Sequence, residues 1–270
     1  MNKCLTCDEI NCLTYYAEVN KILQCNKCGA VYSEYYTPKK YWYTEDRAST
    51  TFFERILVRV AHHFMSKIAT DEYLKYLRLK TKMNFKNALD IGAGYGTFVN
   101  ELNKIGIDAY GIESEQKFVK SSITKKIKWE YFDKNYYSDI KYDLICLTGM
   151  IFYLPDNYAV LECVRNMLTP NGIIFIIDFN PESKLVHESF LERINYEVMI
   201  LSKKNFESLQ KKLGLELLDY TIYRSNLSID FHRGKNRKIA FLKYFLRLKN
   251  AFVLDPEGQF AFILLKSSKS

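Results

Sequence analysis

Three glycines in five residues, Gly92, Gly94 and Gly96, follow a short apolar run, Ala88-Leu-Asp-Ile91. They open directly onto an amphipathic stretch with Phe98, Val99, Leu102 and Ile105 at helical spacing. A strand that turns through glycines into a helix start forms a cradle for a nucleotide-like ligand. Glycine lets the main chain approach closely, and the helix N-terminus offers unpaired N–H groups. The form of the turn narrows the choice. A dinucleotide fingerprint counted from Gly92 needs a glycine where Thr97 stands, and a P-loop needs a Gly-Lys-Ser/Thr ending that is absent here. What stands instead is Asp-x-Gly-x-Gly-x-Gly, with Asp90 two residues before the first glycine and Ala93 after it.

Beyond this turn, strand and helix patterns alternate. The spacing predicts strands over Asp108 to Glu113, Ile127 to Asp133, Tyr142 to Thr148 and Ile173 to Asp178. Helices are predicted over Glu115 to Thr124, Asn157 to Leu168 and Pro181 to Ile194. With Gly214 to Arg224 and Gln259 to Lys266 as a closing hairpin, this is an α/β fold. It is a doubly wound, Rossmann-like, mostly parallel sheet of seven strands, with ligand at the strands' C-terminal ends. Glu113 ends the second strand, where a carboxylate accepts hydrogen bonds from ribose hydroxyls in related folds. Asp133, beside Phe132, ends the third strand, and Thr148 ends the fourth.

The N-terminus carries a second signal. Cys4-x2-Cys7 and Cys25-x2-Cys28 are two knuckles at the spacing of a Cys4 zinc site, with Leu13 to Leu23 between them reading as a short hairpin. Some thirty residues bury too little apolar surface to fold alone, so a metal is expected to supply the stability, four ligands implying a structural ion; the alternatives are a redox pair or free thiols. Cys12, Cys146 and Cys163 read as packed hydrophobes. Residues 1–36 form the zinc module, and residues 37–82 an aromatic linker with a helical cap. In that cap Phe52, Ile56, Val60, Phe64 and Ile68 make one helix, and Asp71 caps a second. His62 and His63 lie on the first helix without metal-like spacing. Residues 83–270 form the ligand-binding domain, with an insertion at about 225–257.

Composition excludes several classes. No run of eighteen apolar residues and no signal-peptide core occur, so the sequence reads as soluble and cytoplasmic, with no transmembrane segment. Residues 201–270 hold fourteen Lys and Arg against six Asp and Glu, the whole of the formal +8. Attraction to an anionic partner therefore belongs to the C-terminal quarter. There His232-Arg-Gly-Lys-Asn-Arg-Lys238 leads into an amphipathic pattern from Ile239 to Phe252. Its readings are a helix packed on the domain, a lid over an anionic substrate, or a membrane or nucleic-acid contact.

Together these pieces are similar to the class I S-adenosylmethionine (SAM)-dependent methyltransferases with an N-terminal Cys4 zinc-binding module. That type is associated with bacterial polysaccharide and sugar modification. The matching segments, over residues 4 to about 213, are the two cysteine knuckles, Ala88-Leu-Asp-Ile-Gly-x-Gly-x-Gly-x-Phe98, Tyr110-Gly-Ile-Glu113, Tyr142-Asp-Leu-Ile145 and Leu168-Thr-Pro-Asn-Gly172. The resemblance implies SAM at Asp90, Gly92, Ala93, Gly94, Gly96, Glu113, Phe132, Asp133 and Thr148, with Asp133 and the Phe132 backbone on the adenine. It implies zinc at Cys4, Cys7, Cys25 and Cys28. Two departures bear on the acceptor. A His-x-x-Glu-His segment of many relatives is here Gly149-Met-Ile-Phe-Tyr153, and a histidine before the Ser202 helix start is here Glu197.

Methyl transfer to a hydroxyl needs orientation and a base. The candidates are His187, Glu197 and Asp178, with Asn180 beside them; His187 has the most suitable ordinary pKa. The expected reaction is O-methylation of a carbohydrate or other small, anionic acceptor. The alternatives are an RNA methyltransferase, opposed by the zero net charge of residues 1–200, and an inactive zinc-dependent interaction module.

Overall fold

The computed structural model describes residue 4 and residues 6–10, 13–17, 22–33, 52–154, 156–189, 199–225 and 252–268. The expectations for Cys12, most of the aromatic linker, Glu197 and the basic insertion lie outside the described residues, as do the side chains of His62 and His63. In chain order the elements begin with β1 (Leu13–Ala17), β2 (Ile22–Cys25), β3 (Val31–Ser33), α1 (Phe52–Lys80), β4 (Asn87–Ile91) and α2 (Thr97–Lys104). There follow β5 (Asp108–Glu113), α3 (Gln116–Lys120), β6 (Ile127–Trp129), β7 (Tyr142–Thr148), α4 (Asn157–Asn166) and β8 (Leu168–Phe179). The last are α5 (Lys184–Ser189), β9 (Met199–Ile200), α6 (Lys203–Leu213), β10 (Leu215–Ser225), β11 (Phe252–Leu254) and β12 (Phe260–Ser267).

The large sheet runs β11-β10-β12-β8-β7-β4-β5-β6. Strands β8, β7, β4, β5 and β6 are parallel, and β12 lies antiparallel between β8 and β10. The chain winds outward from β4 through β5 and β6, then returns to β7 on the other side. The crevice between the ends of β4 and β7 is thus the topological switch point, where such sheets take ligands. Alternation along the strands separates two cores. Leu89, Ile91, Ile145, Leu147, Ile174 and Ile176 face one side. Ala88, Leu144, Cys146, Ile173, Phe175 and Ile177 face the other, under α1 and α2.

Five expectations change. The sheet has eight strands, because Phe252 opens edge strand β11 and does not end a helix. Its ring packs against Tyr73, Phe260 and Phe262, and that burial overrides the helical spacing. The cap is one helix of 29 residues without a break at Asp71. No Gly or Pro interrupts it, and Asp71 pairs with Lys67 one turn back along an exposed face. Strand β6 stops at Trp129, leaving Phe132 and Asp133 in the following turn; it is an edge strand, and short edges limit unwanted pairing. Helix α3 is only five residues, and the helix predicted over Pro181 to Ile194 is described as α5, Lys184–Ser189, with residues 190–198 outside the described set.

Helix α1 is clamped to the sheet by one partly buried polar knot. Tyr76 Oη donates to Asp219 at 2.5 Å, Lys80 Nζ at 2.7 Å and Thr221 Oγ1 at 2.6 Å. Burial works against the Asp219 charge, but these three donors outweigh it and hold the carboxyl below its ordinary value. Among the described residues no helix is long and apolar enough to cross a membrane.

The N-terminal strands form a separate four-stranded sheet, β1-β2-β3-β9. Its fourth strand is supplied by residues 199–200, through the Val31–Ile200 and Tyr32–Met199 pairs. Cys4, Leu23, Cys25, Cys28 and Tyr32 share one continuous core with the large sheet.

Candidate cofactor and metal sites

The glycine turn is shaped by its surroundings. A Cβ on Gly96 (φ +76°) would stand 2.8 Å from Ser122 Oγ and 2.9 Å from Ile127 and Thr124, so any side chain there would clash. Gly94 (φ +53°) is the reverse case: nothing lies within 4 Å of where its Cβ would be. One glycine closes the turn against α3 and β6, and the other leaves its open face free for a ligand.

Glu113, at the end of β5, reaches across to that open face. Its Oε2 accepts the Gly94 N–H at 2.9 Å, and its Oε1 accepts the Glu115 N–H at 2.8 Å. Asp90 sits on the neighbouring strand, 2% exposed, and its Oδ1 has no hydrogen-bond partner. Burial, with the Glu113 charge second, pushes the Asp90 carboxyl up to about 8. A buried carboxylate without a donor is costly unless a cation answers it. Ala93 is buried, and Gly92 lies under Met150, which follows β7. The structure therefore brings Asp90, Gly92, Ala93, Gly94, Gly96 and Glu113 together around one crevice.

Thr148 ends β7, partly buried. Phe132 is buried against Tyr136 at 5.1 Å, while Asp133 Oδ1 accepts the Asn135 N–H at 2.8 Å and stiffens its own turn. Tyr73 of α1 is a residue that sequence reasoning missed. Burial, then the Asp90 charge, pushes its phenol up, and its ring lies 5.8 Å from Phe98. Nothing in the helical pattern marked it apart from its neighbours.

The end of β8 carries a second polar group. Asp178 is 1% exposed; its Oδ1 accepts the Phe179 N–H at 2.7 Å, and its Oδ2 has no partner. Burial pushes its carboxyl up to about 8, against the Phe179 bond, which lowers it. Asn180 pairs with Gln259, so Asp178 and Gln259 are diagonal neighbours on one face, within reach of each other's side chains. Gln259 is 4% exposed, and its Nε2 also lacks a partner. No motif marks Gln259; only the β8–β12 register reveals it. His187 is 4% exposed, with Nε2 2.5 Å from the Pro181 carbonyl. A carbonyl only accepts, so that nitrogen carries the proton and Nδ1 is the basic one. Burial holds its pKa below the ordinary imidazole value, against the Pro181 bond. Asp178 and His187 are thus brought near the sheet's ligand edge, while Glu197 is outside the described residues.

The Asp178 shift has a measurable consequence. The folded chain retains a proton that a solvated Asp, with pKa about 3.9, has released. Stability from this group is fully present below that value and is lost as pH rises towards 8. Asp178→Asn removes the titration. It is expected to be more stable than wild type at pH 8, the gap widening by on the order of 2 kcal/mol between pH 6 and pH 8 in urea unfolding. A pH-independent gap refutes the buried proton.

The four knuckle sulfurs converge. Cys4 and Cys28 Sγ are 3.7 Å apart, as are Cys7 and Cys25 Sγ, and all four lie within 4.8 Å of one another. These separations are far beyond a disulfide bond. They match the edge of a tetrahedron around a zinc ion with bonds of about 2.3 Å, which is about 3.8 Å. The two turns repeat one geometry: Asp8 N–H donates to Cys4 O at 3.1 Å and Gly29 N–H to Cys25 O at 2.8 Å. Thr6 N–H and Cys28 N–H each point at a ligand sulfur at 3.4 Å. Cys146 and Cys163 stand apart, buried in the core; Cys163 Sγ donates to Tyr136 O at 3.0 Å.

Comparisons with known proteins fit this geometry. A family model described as a methyltransferase domain matches residues 61–220. A ubiquinone biosynthesis O-methyltransferase of Pasteurella multocida (strain Pm70) is 26% identical over 113 residues, 35% of this chain and 47% of that protein. The chain thus spans about half the length of that curated relative. Among solved structures, a putative sarcosine dimethylglycine methyltransferase of Galdieria sulphuraria superposes with TM-score 0.53 at 18% identity, over 75% of this chain and 85% of that one. A SAM-dependent methyltransferase of Thermotoga maritima, possibly a histamine N-methyltransferase, gives 0.53 at 15% identity, over 81% and 96%. At these identities the likeness is one of fold.

Proposed function

Because the chain belongs to the methyltransferase-domain family, we propose that it is a SAM-dependent methyltransferase acting on a hydroxyl of a sugar or sugar-bearing, anionic small molecule. The observation that carries the cofactor is the Glu113–Gly94 bond beside the buried Asp90 carboxyl, whose Oδ1 has no hydrogen-bond partner. The residues fit SAM: Glu113 offers acceptors for a ribose diol, Gly94 leaves space, and Asp90 offers charge to an ammonium or sulfonium. Gly92, Ala93 and Gly96 hold that turn, and Phe132 and Asp133 in the turn after β6, with Thr148 at the end of β7, are proposed to complete the site. When bound, the cofactor supplies an electrophilic methyl group on sulfur.

The chain's own task is to orient the acceptor and take its proton. His187, whose pKa burial holds below the ordinary imidazole value and whose Nε2 faces the Pro181 carbonyl, is proposed as the base through its buried Nδ1. Asp178 Oδ2, which carries the retained proton while Oδ1 accepts the Phe179 N–H, and Gln259 Nε2 offer two donors to the lone pairs of an acceptor oxygen. The basic C-terminal quarter suits an anionic acceptor. Transfer to oxygen agrees with the activity in the Pasteurella relative's name. Cys4, Cys7, Cys25 and Cys28 are proposed to hold one structural zinc ion, four ligands leaving no open position.

Calorimetry with SAM, then S-adenosylhomocysteine release with nucleoside-diphosphate hexoses and with free hexoses, tests this reading. Micromolar SAM binding and turnover on the charged sugars are expected. Absence of SAM binding at millimolar concentration would remove the enzymatic reading, and turnover only on non-sugar hydroxyls would remove the acceptor.

A further inference from the structure

The turn that follows β8 is fastened from two sides. On one side it is tied to the entry of β12. The Asn180 N–H donates to the Gln259 carbonyl at 2.8 Å, Asn180 Nδ2 to the Gly258 carbonyl at 3.0 Å, and Ser183 Oγ to the Glu257 carbonyl at 2.9 Å. On the other side the turn meets the N-terminal ribbon. Gln24 Nε2 donates to the Pro181 carbonyl at 3.4 Å, across 157 positions of the chain. The same carbonyl accepts His187 Nε2 at 2.5 Å, so both of its lone pairs are taken.

Packing makes the same junction independently. Ile22 and Val31 of the ribbon form a small buried cluster with Val186 of α5, Ile200 of β9 and Phe152 of the segment after β7. Ile22 and Gln24 alternate onto one face of β2, and Gln24 pairs with Val31 across the β2–β3 ladder. Gln24 is thus the polar neighbour of an apolar cluster that also holds Val186, the residue before His187. Its main chain is fixed from both sides, because β2 is an inner strand, and Cys25, one of the four converging thiols, follows it.

We propose that Gln24 is a positioning residue for His187, a role that rests on the reading of His187 as the acceptor's base. The ribbon holds the Pro181 carbonyl, and the carbonyl holds the imidazole. Pro181 has a fixed φ and no N–H, so its carbonyl direction depends on ψ and on what the oxygen binds. A ring bonded to a loose carbonyl turns with it. A second donor on the same oxygen narrows that motion, and with it the direction in which Nδ1 points. The ribbon in this way serves the acceptor side, whereas the glycine turn is tied to Glu113.

Nitrogen NMR of the full, zinc-supplied chain with isotope-labelled histidine tests this at fixed pH and without any acceptor. The chain has four histidines, and the signal lost in His187→Gln assigns the ring. In wild type His187 is expected as one tautomer, protonated on Nε2. Gln24→Met keeps the length and loses the donor; that ring proton should then exchange with water about fivefold faster, the factor of one ordinary hydrogen bond. Gln24→Lys, with a donor of similar reach, should return to within about twofold of wild type. Neither variant should lower the unfolding midpoint by more than about 4 °C, so the exchange reports the ring and not global unfolding. Unchanged or slower exchange in Gln24→Met overturns the positioning role, and so does a Gln24→Lys chain that exchanges as fast as Gln24→Met. The base reading is measured apart, by S-adenosylhomocysteine release with nucleoside-diphosphate hexoses. There His187→Gln should lose about a hundredfold or more in turnover. Wild-type turnover in His187→Gln removes the base, and the link from Gln24 to the reaction with it, whatever the exchange rates.

Discussion

Glu113→Ala is expected to weaken SAM binding about a hundredfold or more. The carboxylate has two duties in the proposed site. It ties the Gly94 and Glu115 N–H groups, which fixes the glycine turn against the end of β5. It also supplies the acceptors proposed for a ribose diol. Hydrogen bonds to a charged group contribute about 1.5–3 kcal/mol each, so losing two costs roughly 3–4 kcal/mol or more, at least a factor of about 100 in affinity. Glu113→Gln keeps one acceptor oxygen without the charge and should lose about tenfold. Calorimetry with S-adenosylhomocysteine, which is not consumed, measures both. Alanine within threefold of wild type would take Glu113 out of the cofactor site.

The second large effect concerns the metal. Removing zinc with a chelator, or replacing Cys25 with Ser, is expected to lower the unfolding midpoint by about 10 °C or more. Isolated zinc fingers gain an apparent 10–16 kcal/mol or so from their ion. Here only part of that is at stake, because the ribbon also packs on the large sheet. A loss of about 5 kcal/mol in a chain of this length moves the midpoint by roughly 10–20 °C. The effect should not stay local, since Cys4, Cys25 and Cys28 share a core with Leu89, Ile91 and Leu147 of the central strands. Thermal unfolding with chelator, and then with zinc added back, measures it. An unmoved midpoint in the chelated protein would mean that the four thiols stabilise nothing through a metal.

The parts legible in the sequence are those whose chemistry is contiguous. Asp90, Gly92, Gly94 and Gly96 sit within seven residues, and Glu113 follows by the regular length of one helix and one strand. Local spacing was enough to place them at one crevice. The cysteine pairs were readable for the same reason, each knuckle being a local turn. What escaped depends on contacts between distant segments. Strand β9 is two residues long, and no periodicity reveals it; it exists because β3 lends it a ladder. Phe252 had helical company in Phe245 and Leu248, and an aromatic cluster around Tyr73 and Phe262 won it for a strand. Gln259 became a candidate beside Asp178 only through the β8–β12 register. Asp71 is an acceptable helix cap by type, yet in an uninterrupted helix it serves as an ordinary exposed ion-pair partner.

The late arrival of β9 sets an order on synthesis. Its partner strand, Val31–Ser33, is made early, and residues 199–200 must wait for about 170 further residues. At about 5–20 residues per second, that is roughly 10–30 s on the ribosome. Throughout that interval β3 presents an open edge, the kind that invites pairing with another chain. Ser202, whose hydroxyl meets the Cys28 carbonyl in the folded chain, is also still to come, so a metal captured early would be held before that contact exists. The nascent ribbon is therefore at its most exposed to metal loss and misassembly before the methyltransferase half has been made, and chaperone or metal supply would act in that window.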